Sequence, residues 1–110
     1  PAEEKKMADD PVLVFASFEP KPGQEETVQK TLQGMVGPTR QEPGNEIYDL
    51  YERKNGPDGM LSFHLFEKYK DAAALEYHRE TEHYKNYRAT ITEHLNVPIG
   101  VVVLAAIDAA

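Results

Sequence analysis

The stretch Val12-Leu13-Val14-Phe15-Ala16-Ser17-Phe18-Glu19 decides the fold. It is β-branched and aromatic, and Pro20, Pro22 and Gly23 close it, which is the signature of a strand. A strand with one wet face alternates apolar and polar residues. This one does not: Val12, Val14 and Phe18 share one face, and Leu13 and Phe15 lie on the other. Three more segments read the same way. In residues 45–54, Ile47 and Tyr51 oppose Tyr48 and Leu50; in residues 60–68, Leu61, Phe63 and Leu65 oppose His64 and Phe66. In residues 97–107, Ile99, Val101, Val103 and Ile107 oppose Val102 and Leu104. All four strands are oily on both sides.

Between the first two strands, Glu25 and Glu26 suit the first turn of a helix, where the helix dipole favours negative charge. Val28, Leu32, Met35 and Val36 then supply one buried face. Gly34 weakens this helix, and Gly37-Pro38 is expected to end or bend it. Asn55-Gly56-Pro57-Asp58-Gly59 reads as a hairpin loop between strands two and three. Residues 72–94 form a second helical region. Tyr84, Tyr87, Ile91 and Leu95 make one stripe, but Leu75 and His78 would point away from it on a continuous helix. A break near Glu80-Thr81, with Thr81 capping the second piece, lets both segments face inward. The order is βαββαβ, an α+β domain over residues 11–110, preceded by a charged, flexible tail at residues 1–10. Right-handed crossovers put both helical connections on one side of the sheet. The other side stays apolar, and a second copy packed sheet to sheet is the simplest cover.

The 110 residues fit one domain with a modest core. A net charge of -7, with 12 basic residues scattered among 19 acids, excludes nucleic acid and anionic lipid as partners. The absence of cysteine removes thiolate nucleophiles, iron–sulfur clusters and cysteine-based zinc sites. The longest apolar run, residues 101–107, is strand-sized, so no membrane span is expected and the location is taken as cytoplasmic.

Glycine-rich phosphate loops, a GxSxG elbow and a dinucleotide fingerprint are all missing. His78 and His83 are five residues apart, which on a continuous helix points them ~140° from each other and argues against a shared metal ion. No metal is expected. What remains is a titratable aromatic set: Tyr48, His64, Glu67, Tyr69, Tyr77, His78, His83 and Tyr84. Histidine exchanges protons near neutral pH, so the exit of strand three and the helix after it read as the mouth of a pocket.

Two segments carry a family resemblance. Residues 38–48, PTRQEPGNEIY, resemble the TRxEPGxxxY segment of the antibiotic biosynthesis monooxygenase family. Phe66-Glu67-Lys68-Tyr69, followed by Ala74-Leu75, His78 and His83, resembles that family's second signature, with Tyr69 where tryptophan is usual. The resemblance implies a ferredoxin-like βαββαβ fold with a four-stranded antiparallel sheet, whose homodimers bring two sheets together as a dimeric α/β barrel. It also implies oxidation of a quinol or other small aromatic substrate by O₂ without any cofactor. On that reading His78 or His83 is the catalytic base, while Tyr48, His64, Glu67 and Tyr69 bind substrate. Arg40 and Glu42 pin the helix-to-strand turn. Heme-degrading relatives need asparagine and histidine where this chain has Ala16 and Arg88, which disfavours that chemistry. An isomerase or lyase acting on a small carbonyl compound, or a non-catalytic binder of a hydrophobic metabolite, are the competing expectations.

Overall fold

The computed structural model describes residues 10–54 and 59–109. The elements are β1 (Val12–Phe18), α1 (Glu25–Arg40), β2 (Asn45–Arg53), β3 (Ser62–Tyr69), α2 (Ala72–Glu80), α3 (Glu82–Ile91), a short 3₁₀ turn (Thr92–His94) and β4 (Gly100–Ala105). The strands lie in the order β2-β3-β1-β4, and every neighbouring pair is antiparallel. This is the ferredoxin-like arrangement that the sequence led us to expect. The N-terminal tail, apart from Asp10, and most of the hairpin loop lie outside the described residues.

Register sorts the side chains into rows. On the helix side, Val103, Val14, Glu67 and Tyr48 form one row, and Val101, Ala16, Leu65 and Leu50 the next. α1 lies over β2 and against α3, and it buries Val28, Leu32 and Met35 in a core with Phe18, Phe63 and Ile91. Each such aliphatic or aromatic side chain contributes roughly 1.5–3 kcal/mol when fully buried. The opposite face carries the rows Leu104–Leu13–Lys68–Ile47 and Val102–Phe15–Phe66–Asp49. Among the described residues no helix or loop covers it, and Phe15, Val102 and Leu104 are exposed.

Three expectations need correction. Pro38 does not end α1, which runs on to Arg40. The last turn is anchored from outside the helix: Thr39 is fully buried, and Arg40 donates to the Tyr48 carbonyl and to Asp49. β4 is shorter than residues 97–107, because Pro98 has no N–H to give a ladder and Asn96 is already bonded to the Glu19 carbonyl. β3 begins later than expected, at Ser62, and extends to Tyr69.

The break in the second helical region falls where the capping residue put it. Thr81 ends α2 by donating its hydroxyl to the His78 carbonyl at 2.7 Å, and it starts α3 by accepting from the Tyr84 N–H at 3.3 Å. Asp71 caps the start of α2 by accepting from the Ala74 N–H. The turn before β2 presses on this helix. A Cβ at Gly44 would run into the Ala74 side chain, so only glycine fits there.

Candidate active site

The Thr81 joint turns α3 so that His78 and His83 face the same group. That group is Glu42, in the turn between α1 and β2. One of its carboxylate oxygens, Oε2, lies 2.8 Å from His78 Nδ1 and 2.6 Å from His83 Nε2. The Glu42 and His78 side chains are almost wholly buried, whereas His83 keeps a quarter of its side chain in solvent. The other Glu42 oxygen, Oε1, is buried without a hydrogen-bond partner.

A carboxylate only accepts, so His78 donates from Nδ1 and its lone pair sits on Nε2. That nitrogen faces Glu67, whose Oε1 is 3.9 Å away. Tyr69 donates its hydroxyl to the same Glu67 oxygen at 2.6 Å. Aromatic rings box the imidazole in: Tyr84 edge-on at 5.0 Å, Tyr69 at 5.2 Å and Tyr48 at 5.9 Å between centroids.

Burial sets the electrostatics. Desolvation pushes the Glu67 carboxyl up to about 7, against the Tyr69 hydrogen bond and the Arg79 charge that favour ionisation. Desolvation also lowers the His78 pKa, outweighing its bond to Glu42. His78 is therefore a neutral imidazole with a free Nε2 at neutral pH. Tyr48 and Tyr69 are pushed well above the usual phenol range, first by burial and then by the Glu67 charge. They stay protonated and serve as donors and walls.

A small, partly open cavity of about 20 Å³ lies between the sheet and the helices, lined by Val14, Ala16, Glu67, Leu75, His78, Arg79, Tyr84, Tyr87 and Val101. It has room for one water molecule. Glu67 and His78 are its two acid–base groups, and Arg79 stands on its rim. The arrangement can take a proton from a molecule in the cavity and hold it on an imidazole whose far side is fixed by a buried carboxylate.

A model of the antibiotic biosynthesis monooxygenase family matches residues 11–90. The chain belongs to this family. Over 100 residues it is 43% identical to Rv0793 of Mycobacterium tuberculosis, covering 91% of this chain and 95% of that one. YcnE of Bacillus subtilis is 36% identical over 83% of this chain and 93% of its own length. Both relatives carry the name "Putative monooxygenase". Among solved structures, Rv0793 superimposes with a TM-score of 0.83 at 44% identity, over 91% of this chain and 98% of that one. PA3566 of Pseudomonas aeruginosa gives 0.79 at 29% identity, over 92% and 98%.

Within this family frame the fold brings together five of the six residues singled out in the sequence: Tyr48, Glu67, Tyr69, His78 and His83. His64 is not among them. It alternates with Phe63 and Leu65 along β3 and so points to the outer face, where it stacks on Phe15 and lies between the Ser17 and Ser62 hydroxyls. Tyr77, also in the titratable set, is exposed on α2. His83 does not line the cavity; it borders an open groove between α1 and α3. Two residues were missed. Glu42 was assigned to the turn, a role that Arg40 does perform, yet its carboxylate orients both histidines. Arg79 carried no signal beyond its neighbour His78. The angular argument that kept His78 and His83 apart fails because it assumed a continuous helix.

Proposed function

We propose that this chain is a monooxygenase that oxidises a small quinol or phenolic compound with O₂, with His78 as the base. The observation that carries this reading is the buried His78 ring, which lines the cavity with Nε2 towards Glu67 while buried Glu42 holds the other ring nitrogen. Triplet oxygen reacts slowly with closed-shell molecules, but a phenolate can give it an electron. Removing the phenolic proton in a dry site makes the substrate its own reductant, and no cofactor is called for. A phenol becomes a quinone in such a reaction. The ring gives four electrons, one oxygen atom enters as a carbonyl, and the other leaves as water with the two hydrogens the ring has lost.

Glu67, half protonated near neutral pH, would donate to the departing oxygen, and Arg79 at the rim favours a substrate that becomes anionic. The cavity must widen to admit an aromatic ring, with Tyr84 and half-exposed Val101 giving way. In this reading the working unit is a homodimer packed through the outer sheet face, where Leu13, Phe15, Val102 and Leu104 form an apolar patch on β1 and β4.

Oxygen uptake with a panel of hydroquinones and naphthols, run with ¹⁸O₂, tests the reaction. One labelled atom in the quinone is expected, with none formed anaerobically and a loss of about 10²–10⁴-fold in His78→Ala. Turnover that persists without O₂ would mean an isomerase or lyase. Uptake absent for every substrate would sink the oxygenase reading. Sedimentation that gives a well-folded 12.4 kDa species at micromolar concentration would remove the dimer.

A further inference from the structure

We infer that Glu42, His78 and His83 form a transition-metal site. Their ligand atoms, Glu42 Oε2, His78 Nδ1 and His83 Nε2, all lie within 4.8 Å of one another. Ligands held about 2.0–2.2 Å from a zinc-class ion, in adjacent coordination positions, are roughly 3 Å apart. The two nitrogen-to-oxygen distances here are 2.8 and 2.6 Å, so on each of these two edges an ion needs only a few tenths of an ångström more, with the rings turning to aim both nitrogens at it. Glu42 Oε1, buried and unpartnered, is the natural second oxygen for a carboxylate that binds through both. His83 gives the path: its ring borders the groove between α1 and α3, alongside Met35 and Asn86, so an ion and a water ligand can arrive from that side. Two imidazoles and one carboxylate select Zn²⁺, Co²⁺, Fe²⁺, Ni²⁺ or Cu²⁺ over Mg²⁺ and Ca²⁺, which prefer all-oxygen shells.

Occupation of this site changes the neighbouring cavity. A neutral imidazole that binds an ion through Nδ1 carries its proton on Nε2. His78 then presents a donor to the cavity instead of a lone pair, and the ion acts as an inhibitor. This consequence rests on the proposed oxygenase reading; the site itself does not.

The probe is Co²⁺ added to untagged protein, followed by its visible d–d bands and then displaced with Zn²⁺. One Co²⁺ per chain is expected, with affinity at least about tenfold weaker in His83→Ala and in Glu42→Gln. His94→Ala, a histidine bonded to Gln24 elsewhere, keeps full binding. His83 is partly exposed, and a far-UV circular dichroism spectrum and urea midpoint matching the parent separate loss of binding in His83→Ala from loss of fold. Absence of protein-bound cobalt bands, or binding unchanged in His83→Ala, overturns the site. In the oxygen-uptake assay, Zn²⁺ at saturating occupancy abolishes turnover; full turnover with the site filled overturns the inhibitory role while leaving the oxygenase intact. A protein that binds Co²⁺ but oxidises nothing keeps the site and discards the oxygenase.

Discussion

Between β1 and β2 the chain crosses the sheet in one helix; between β3 and β4 it takes two. The first crossover contains a proline and stays continuous through it, whereas the second has neither proline nor glycine within either helix and still turns at Thr81. Pro38 removes one hydrogen bond near the end of α1, and tertiary anchors at Thr39 and Arg40 compensate. At Thr81 a single hydroxyl satisfies the end of one helix and the start of the next, so the corner is stabilised rather than tolerated. The difference teaches that a helix stops where its terminal groups find better partners, and that a breaker residue alone does not decide the matter. It also separates roles. The straight crossover builds core, and the bent one gathers chemistry.

The comparison can be broken at its centre first. On the proposed oxygenase reading, His78→Ala removes the base carried by the bent crossover, and a fall in kcat of about 10²–10⁴-fold is expected from steady-state oxygen uptake. Next in size is Glu67. Its carboxyl rises from 4.5 to about 7 on folding, so the folded chain holds a proton that the unfolded chain releases between those values. Its contribution is neutral in acid and becomes destabilising as pH rises through that window, by up to about 3 kcal/mol above pH 7. Glu67→Gln should therefore gain stability at pH 8 and little at pH 4, measured by urea unfolding at each pH. His78 works in the opposite sense. Its folded pKa lies below the ordinary value, so its neutral burial costs stability as pH falls below about 6.5.

Removing the joint itself gives a smaller effect. Thr81→Ala should lower stability by about 1 kcal/mol, with Thr81→Ser restoring it. If the corner also aligns the histidines, His83 in Thr81→Ala should become more reactive to diethylpyrocarbonate as it leaves Glu42. The smallest change is on the other side of the comparison. Pro38→Ala returns one helical N–H and should raise stability by about 1 kcal/mol or less, because neighbouring contacts already hold that turn. A gain near the ~3 kcal/mol cost of an unsupported helix proline would show that α1 is strained after all.

Much of this was legible in the chain. The oily pairs Val14/Phe15 and Leu65/Phe66 announced a sheet with two apolar faces, and the conflict between His78 and the Tyr84 stripe announced the break. The period of β3 also announced that His64 and Glu67 lie on opposite faces, so grouping them in one pocket overlooked alternation that was already readable. Glu42 was harder to see. Its partners are 36 and 41 residues away, and no local pattern links a turn carboxylate to a distant helix. The end of β4 was obscured because Val97, Ile99 and Ile107 are strand-like by composition, while pairing depends on which N–H groups have a partner.

The hydrogen atom at Gly44 sets a tolerance for the whole arrangement. Because the turn touches Ala74 with nothing in between, the spacing from this loop to α2 is fixed from below, like a gauge block. Glu42 stands just upstream, and the reach of its carboxylate to two rings inherits that spacing. Even one methyl group there would prise the loop from the helix, and the oxygen that both imidazoles share could no longer serve them together.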